Sequence, residues 1–340
     1  MNILVTGGAG FIGSHTVVAL TEAGFRPVIL DDFSNSEQGV LDGLEQIIGS
    51  KPIIYAENCH NRETLRRIIR EEKIEGVIHF AAFKAVGESM QKPLEYYDNN
   101  LGSLIVLLQT MLECGVSNLI FSSSCTVYGE PDILPVTEET PVQPASSVYG
   151  NTKQIGEEIL CDTVAAGNTL KIISLRYFNP IGAHPSAAIG ELPRGVPGNL
   201  IPFITQTAAG QRASLTIFGH DYPTPDGTCI RDYIHVLDLA EAHVAALQFL
   251  LKKDIDNYYD VFNIGTGEGV SVMQLVKTFE QVSGQALNYK LGPRRSGDVT
   301  AVYADVQKSA EQLGWKAKRS VQQALADAWR WQQVIAQKTR

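Results

Sequence analysis

Little in this sequence answers to a disulfide framework, a thiolate metal site or a membrane span. Its five cysteines, Cys59, Cys114, Cys125, Cys161 and Cys229, are scattered among 340 residues without a C-x-x-C pair. Such usage argues for reduced thiols rather than bridges or metal ligands. No apolar run approaches the ~18 residues that a spanning helix needs. Asn2 to Thr6 enter an apolar stretch with no basic leader before them, so a cytoplasmic protein without membrane insertion is expected. Basic charge is also short: 28 Lys and Arg stand against 37 Asp and Glu, a net charge of -9. That balance disfavours nucleic acid and anionic lipid as partners, and an anionic ligand must be held by a few placed arginines and lysines. The seven histidines form no H-E-x-x-H or His/Cys cluster, so no metal site is expected.

Short apolar, β-branched runs recur at Ile3 to Val5, Pro27 to Leu30, Pro52 to Tyr55, Val77 to Phe80, Asn118 to Ser122 and Lys171 to Leu175, with helical spacing between them. Strands that are apolar throughout, and separated by helices, build a parallel sheet covered on both faces. The expected fold is therefore α/β: a Rossmann-like doubly wound sheet over residues 1–178 and a smaller mixed α/β lobe over residues 179–340. Asn179 opens a Gly- and Pro-rich stretch that runs to Asn199. A further strand candidate, Asp260 to Ile264, is expected to return to the first sheet. The polar end Gln337 to Arg340 is expected to fray.

Thr6-Gly7-Gly8-Ala9-Gly10-Phe11-Ile12-Gly13 follows the first strand and enters the helical stretch Ser14 to Glu22. It satisfies G-x-G-x-x-G through Gly8, Gly10 and Gly13, and G-x-x-G-x-x-G through Gly7, Gly10 and Gly13. A tight turn without β-carbons lets a pyrophosphate reach free N–H groups at the positive end of a helix. Asp31, 18 residues beyond Gly13 at the end of the second strand, completes the dinucleotide fingerprint. Its carboxylate can accept from ribose hydroxyls and would repel a 2'-phosphate, which selects NAD over NADP.

Tyr149 and Lys153 stand four apart at the head of a helical stretch that runs toward Ala165, and that spacing puts phenol and ammonium on one face. A phenol of pKa about 10 is a poor base at neutral pH, but a nearby ammonium and an oxidised nicotinamide both favour its phenolate. Ser122-Ser123-Ser124 closes the fifth strand, at the carboxyl edge where parallel sheets place ligands. Ser124 is the candidate to bond the reacting oxygen. His79 reads as a satisfied core residue, and Cys125, with no basic partner apparent, as small-residue packing.

These motifs resemble those of the extended short-chain dehydrogenases/reductases. Four longer stretches, His79 to Ser89, Pro93 to Asn100, Arg176 to Pro185 and Arg231 to Val236, resemble the UDP-glucose 4-epimerases, and the likeness extends from residue 1 to the Trp329 region. The resemblance implies tightly held NAD that takes a hydride from carbon 4 of a UDP-hexose and returns it to the other face of the 4-keto sugar. It implies Tyr149 as acid/base, Lys153 as its tuner and holder of the nicotinamide ribose, and Ser124 on the sugar oxygen. NAD contacts carried over by position are Gly7, Gly10, Phe11, Ile12, Gly13, Asp31, Asp32, Asn35, Asn58, Cys59, Phe80, Ala81, Ala82, Lys84, Asn99 and Phe178, besides Tyr149 and Lys153. UDP-hexose contacts carried over are Asn179, Asn199, Leu200, Phe218 beside the uracil, Arg231 and Arg295 on the diphosphate, Asp298 near the ribose, and Val302, besides Ser124 and Tyr149. Two guanidinium forks suit a diphosphate.

Relatives that dehydrate nucleotide sugars carry an acidic pair directly after the serine or threonine, where Cys125 and Thr126 stand here, so elimination of water lacks its acid. Asn58 stands where the family usually has Asp; its amide oxygen is expected to meet the adenine amino group, with slightly weaker grip. Val302 falls where members restricted to glucose and galactose carry Tyr, which implies room for UDP-N-acetylglucosamine and UDP-N-acetylgalactosamine unless Tyr303 fills the gap. The family likeness also implies a homodimer through Leu101 to Leu112 and the helix after Lys153, whose apolar faces either pack inside or pair across a two-fold. Two other readings use the same residues: a UDP-sugar oxidoreductase that consumes free NAD, and a non-catalytic NAD-binding regulatory protein.

Overall fold

The computed structural model describes residues 1–295 and 297–338. Six strands come first: β1 (Asn2–Thr6), β2 (Arg26–Leu30), β3 (Ile53–Tyr55), β4 (Ile74–His79), β5 (Asn118–Ser122) and β6 (Lys171–Tyr177). After the short pieces β7 (Asn179–Ile181), β8 (Leu215–Phe218), β9 (Ile230–Arg231) and β10 (Tyr233–His235), the chain returns as β11 (Tyr258–Ile264). It ends its strands with β12 (Val270–Ser271), β13 (Tyr289–Gly292) and β14 (Ala301–Val302).

The main sheet runs in the order β11-β6-β5-β4-β1-β2-β3, parallel throughout. All of β5 is buried, as helices on both faces require. Neighbouring residues serve opposite cores, following the two-residue period of a strand. Ile3 and Ile120 pack with Val17 and Leu20 of helix Phe11–Glu22 and Leu239 and Leu247 of helix Val236–Leu251. Leu4 and Leu119 pack with Leu65 and Ile68 of helix Arg62–Glu71, Leu104 of helix Ser103–Cys114 and Leu160 of helix Val148–Ala165.

From β1 the chain builds outward through β2 and β3, then crosses over to β4, β5 and β6. The crevice at the carboxyl ends of β1 and β4 is therefore the point where strand order reverses, the place where such sheets take ligands. The second lobe has its own core, in which Ile204, Leu215, Leu275, Phe279 and Leu325 meet. A small cluster at the seam joins Cys125, Tyr128, Phe178, Val302 and Ala304.

Three expectations are adjusted. β4 begins at Ile74, ahead of the apolar run, because the exposed Glu75 interrupts the hydrophobic pattern without interrupting the strand. The apolar stretch Leu101 to Leu112 forms its helix over Ser103–Cys114, after a π-helical turn, Asp98–Gly102, where a β-carbon on Gly102 would press on the tip of the His60 ring. The final helix, Val321–Lys338, continues through Gln337; residues 339 and 340 of the expected frayed end lie outside the described residues.

Candidate active site

The glycine turn is held by backbone packing. Gly7 lies at φ +68°, and a β-carbon there would come 2.8 Å from the Ala81 nitrogen. At Gly13 it would fall 2.2 Å from the Gly7 carbonyl oxygen, so helix and turn close on each other only with glycine. Gly10 is the N-cap of helix Phe11–Glu22 with no capping side chain, which leaves the first-turn N–H groups, at Phe11, Ile12 and Gly13, open to an anion. These features fit a dinucleotide pyrophosphate.

Asp31, expected at a ribose, has a structural part in the chain. Its carboxylate accepts from the Ala9 N–H (2.9 Å), the Phe33 N–H (3.0 Å) and the Ser36 hydroxyl (2.8 Å), fastening the turn to the end of β2. One lone pair on Oδ2 remains for a ribose hydroxyl. Asp32 accepts from the Asn58 amide at 2.8 Å, while Asn58 Oδ1 accepts from the His60 N–H at 2.8 Å. The Asn58 oxygen expected at an adenine keeps a second lone pair, and its amide donates where an Asp would face Asp32 with like charge. Asn35 is exposed and Ala82 half-buried. Burial pushes the Cys59 thiol up to about 11. Phe80 packs on the His243 ring at 4.7 Å, Lys84 pairs with Glu191 at 3.3 Å, and Asn99 donates to Asn100 Oδ1 at 3.0 Å.

Ser147 starts the helix Val148–Ala165 by accepting from the Gly150 N–H at 3.0 Å, which sets the helical phase of Tyr149 and Lys153. Both are buried, at 8% and 4% exposure. Lys153 Nζ donates to the Ser122 carbonyl at 2.6 Å and lies 5.8 Å from the Tyr149 ring centroid. Ser124 lies beside the phenol. Burial drives that phenol's pKa upward, Tyr177 adds to the rise, and Ser124 opposes it. The Lys153 ammonium, held on the strand carbonyl, is not among the groups that shift the phenol in the chain without its cofactor. Burial lowers Lys153 to about 8, opposed by the charge of Glu157. Thr126 Oγ1 is buried without a partner, while its N–H donates to Ser124 Oγ at 3.2 Å; an unpaired buried hydroxyl at such a place calls for a ligand. Cys125, pushed up to about 12 by burial, stays a thiol. His79 sits 2.7 Å from the Thr6 hydroxyl and is lowered to about 3 by burial, a neutral core residue.

On the second lobe, Arg231 and Arg295 converge on Asp298, at 3.8 and 2.8 Å. Arg231 is largely buried, whereas the Arg295 side chain is 51% exposed. Phe218, at the end of β8, is 44% exposed and so is not a core residue. The Asn179 N–H donates to the Asp232 carbonyl at 2.9 Å. Asn199 precedes helix Leu200–Ala208 and donates to Glu191 at 2.5 Å; Leu200 packs on the second core. Val302 is buried in the seam cluster with Cys125 and Phe178, the residue expected to touch NAD. The Tyr303 ring lies against Gly269, where a β-carbon would come 3.0 Å from it.

Two features escaped the reading of motifs. Glu157 accepts from Ser123 at 2.5 Å and pairs with Arg176 at 2.6 Å; its spacing of four beyond Lys153 is the signal that points to it. Asn100 bonds both backbone groups of Phe83 (2.8 and 3.0 Å) and the Thr152 hydroxyl (3.0 Å), tying the loop after β4 to the helix of Tyr149. Among the described residues no group of three or more His, Cys, Asp or Glu is placed to hold a metal, and no helix is long and apolar enough to cross a membrane.

The chain is similar to known proteins over nearly its whole length. A family described as GDP-mannose 4,6 dehydratase matches residues 4–328. The UDP-glucose 4-epimerase of Yersinia pestis is 51% identical over 332 residues, 98% of this chain and 97% of that protein. Among solved structures, the UDP-glucose 4-epimerase of Stenotrophomonas maltophila, with bound NAD and formylated UDP-arabinopyranose, superposes with a TM-score of 0.96 at 45% identity over 99% of each chain. The UDP-Glc/GlcNAc 4-epimerase of Campylobacter jejuni does so with a TM-score of 0.83 at 35% identity, covering 98% of this chain and 99% of that one.

Proposed function

This chain belongs to the UDP-glucose 4-epimerase family and is an NAD-dependent enzyme, and from that premise we propose the parts its residues play in epimerisation at carbon 4 of UDP-hexoses. The observation that carries the reading is the delivery of Tyr149 and Lys153, both buried, to the end of β5 where Ser124 meets the phenol. NAD supplies the hydride acceptor and, when oxidised, a positive ring that offsets the burial penalty on a phenolate. Tyr149 takes the proton of the 4-hydroxyl as the hydride leaves and returns it when the hydride comes back. Ser124 holds the sugar oxygen and relays that proton, and Lys153, near 8 in the chain, remains an ammonium at neutral pH. Residues 1–178 with β11 hold the cofactor through the glycine turn, Asp31 and Lys84.

Residues 179–340 hold the nucleotide: Arg231 and Arg295 take the diphosphate, Phe218 the uracil, and Asn179, Asn199 and Leu200 the intervening groups. Strong grip on UDP with few bonds to the hexose lets the sugar turn over without breaking many contacts. Dehydration is disfavoured, since neutral Cys125 and Thr126 follow Ser124. The finer reading is that both plain and N-acetylated UDP-hexoses are turned over, because Val302 leaves the wall short. A homodimer through helices Ser103–Cys114 and Val148–Ala165 is favoured by Ile105 and Leu112, which stay exposed on the first.

The test is a set of side-by-side assays on purified protein. Denaturation is expected to release NAD without any having been added, which separates an epimerase from an oxidoreductase that consumes free cofactor. Tyr149→Phe is expected to lose ~10³-fold in kcat with NAD still bound. Wild type is expected to convert both sugar pairs, and Val302→Tyr to lose only the N-acetylated pair. A wild type inert toward that pair would remove the finer reading and leave the coarser one standing.

A further inference from the structure

We propose that Glu157 is a positioning residue for the Tyr149 and Lys153 pair: through Ser123 and Arg176 its carboxylate fixes the end of β5, which carries Ser124 and presents the carbonyl that holds Lys153. The proposal rests on the reading of Tyr149 as acid/base. Tyr149, Lys153 and Glu157 follow at intervals of four, one above another on the same helix face. Each meets a different one of three consecutive serines. Lys153 donates to the Ser122 carbonyl (2.6 Å), Glu157 accepts from the Ser123 hydroxyl (2.5 Å), and Ser124 lies beside the phenol. Ladder pairing of β5 with β6 ends at Ser122, so the Ser123 hydroxyl bond restrains the residue directly before Ser124.

Glu157 is itself tightly located. Arg176 Nε donates to both carboxylate oxygens (3.0 and 3.2 Å) and Nη2 to one (2.6 Å). Its Nη1 reaches the Tyr128 hydroxyl at 3.2 Å, which donates to Asn263 of β11 at 2.6 Å. The carboxylate is thereby referenced to β6 and β11, across the sheet edge from the helix that bears it. A buried ion pair is poor value for stability alone, and here it holds a carboxylate where a strand end needs an anchor.

The same carboxylate has an electrostatic part. Lys153 lies near the Phe121 and Tyr149 rings, the Ser122 carbonyl and neutral His79, and Glu157 is the anion that offsets its burial. Around Glu157 stand Ser123 of the β5 end, Arg176 of β6, the Tyr128 hydroxyl, and Tyr259 of β11. Removing the Glu157 charge leaves Arg176 as an unpaired cation, and both changes disfavour the Lys153 ammonium. Activity that needs the ammonium is lost as pH rises, so the alkaline limb moves to lower pH.

The experiment compares NAD-loaded wild type, Ser123→Ala, Glu157→Gln and Tyr149→Phe by kcat, KM and pH profile. Ser123→Ala keeps the charge and loses the anchor: kcat is expected to fall ~10-fold with KM within about twofold and the limb unmoved. Glu157→Gln is expected to fall ~100-fold, with the alkaline limb about one pH unit lower. If both variants keep the wild-type kcat and limb per NAD-loaded site, whatever their stability, the proposal is overturned while an inactive Tyr149→Phe leaves the active-site reading intact. Should Glu157→Gln fail to fold, a wild-type kcat in Ser123→Ala overturns it alone. A fully active Tyr149→Phe would instead remove the active-site reading on which it rests.

Discussion

The crevice at β1 and the cluster around Asp298 are both suited to a diphosphate, and they are built from opposite materials. At β1 the donors are backbone N–H groups, set by glycines that, at Gly7 and Gly13, press directly on other backbone atoms. Nothing there has a rotamer to choose, so a ligand meets a surface already ordered by the fold. At Asp298 the donors are two guanidinium forks, one of them half in water, beside an exposed Phe218. Those side chains are partly free before a ligand arrives and must be ordered by it. Preformed backbone suits a ligand that stays for the life of the protein. Adaptable side chains suit one that comes and goes with every turnover.

The comparison breaks hardest at Gly13. Gly13→Val puts a side chain 2.2 Å from the Gly7 oxygen at its first carbon alone, and the purified variant is expected to carry less than about 1% of the wild-type NAD. Full NAD content in that variant would mean that the turn can reshape. Acid should also strike the first region. His15, His79 and His243, all buried around the main sheet, are lowered by burial to about 3, 3 and 4. Their neutral forms contribute stability that is complete above the unfolded value of 6.5 and is lost as pH falls from there toward 4. The slope approaches three protons, about 4 kcal/mol per pH unit. Urea midpoints measured from pH 7 to pH 5, alongside NAD release, check this; a flat midpoint would show that these rings are not held neutral.

The second region should answer differently. Arg231→Lys is expected to raise KM for UDP-galactose ~100-fold and Arg295→Lys ~10-fold, with kcat and bound NAD little changed, because a point charge replaces a fork of donors. An equal loss in kcat would move these arginines into the transition state. The smallest effect is salt: raising it from about 0.1 to 0.5 M should increase KM severalfold through the exposed Arg295 and leave NAD content unchanged.

The strands and the glycine turn were legible because their information is local: an apolar run, a spacing, an acid at a fixed remove. Tyr149 and Lys153 were legible for the same reason. Glu157, Ser123 and Arg176 lie on three separate segments, and nothing in the chain announces that they meet before the sheet exists. The double engagement of Asn58 is likewise tertiary, since it depends on Asp32 from the neighbouring strand end. The burial of the phenol was not legible either, because spacing reports which groups share a face but not how little water reaches them.

β11 sets a condition on how the protein is made. It docks on β6, yet it is synthesised about eighty residues later, which at ~5–20 residues per second leaves β6 waiting on the order of 4–16 s. During that interval the outer edge of β6 presents unpaired N–H and C=O groups, a template for strands of neighbouring nascent chains. Polypeptides released before Ile264 would keep that edge for good. Premature termination in this stretch is therefore expected to yield aggregates rather than a free cofactor-binding domain.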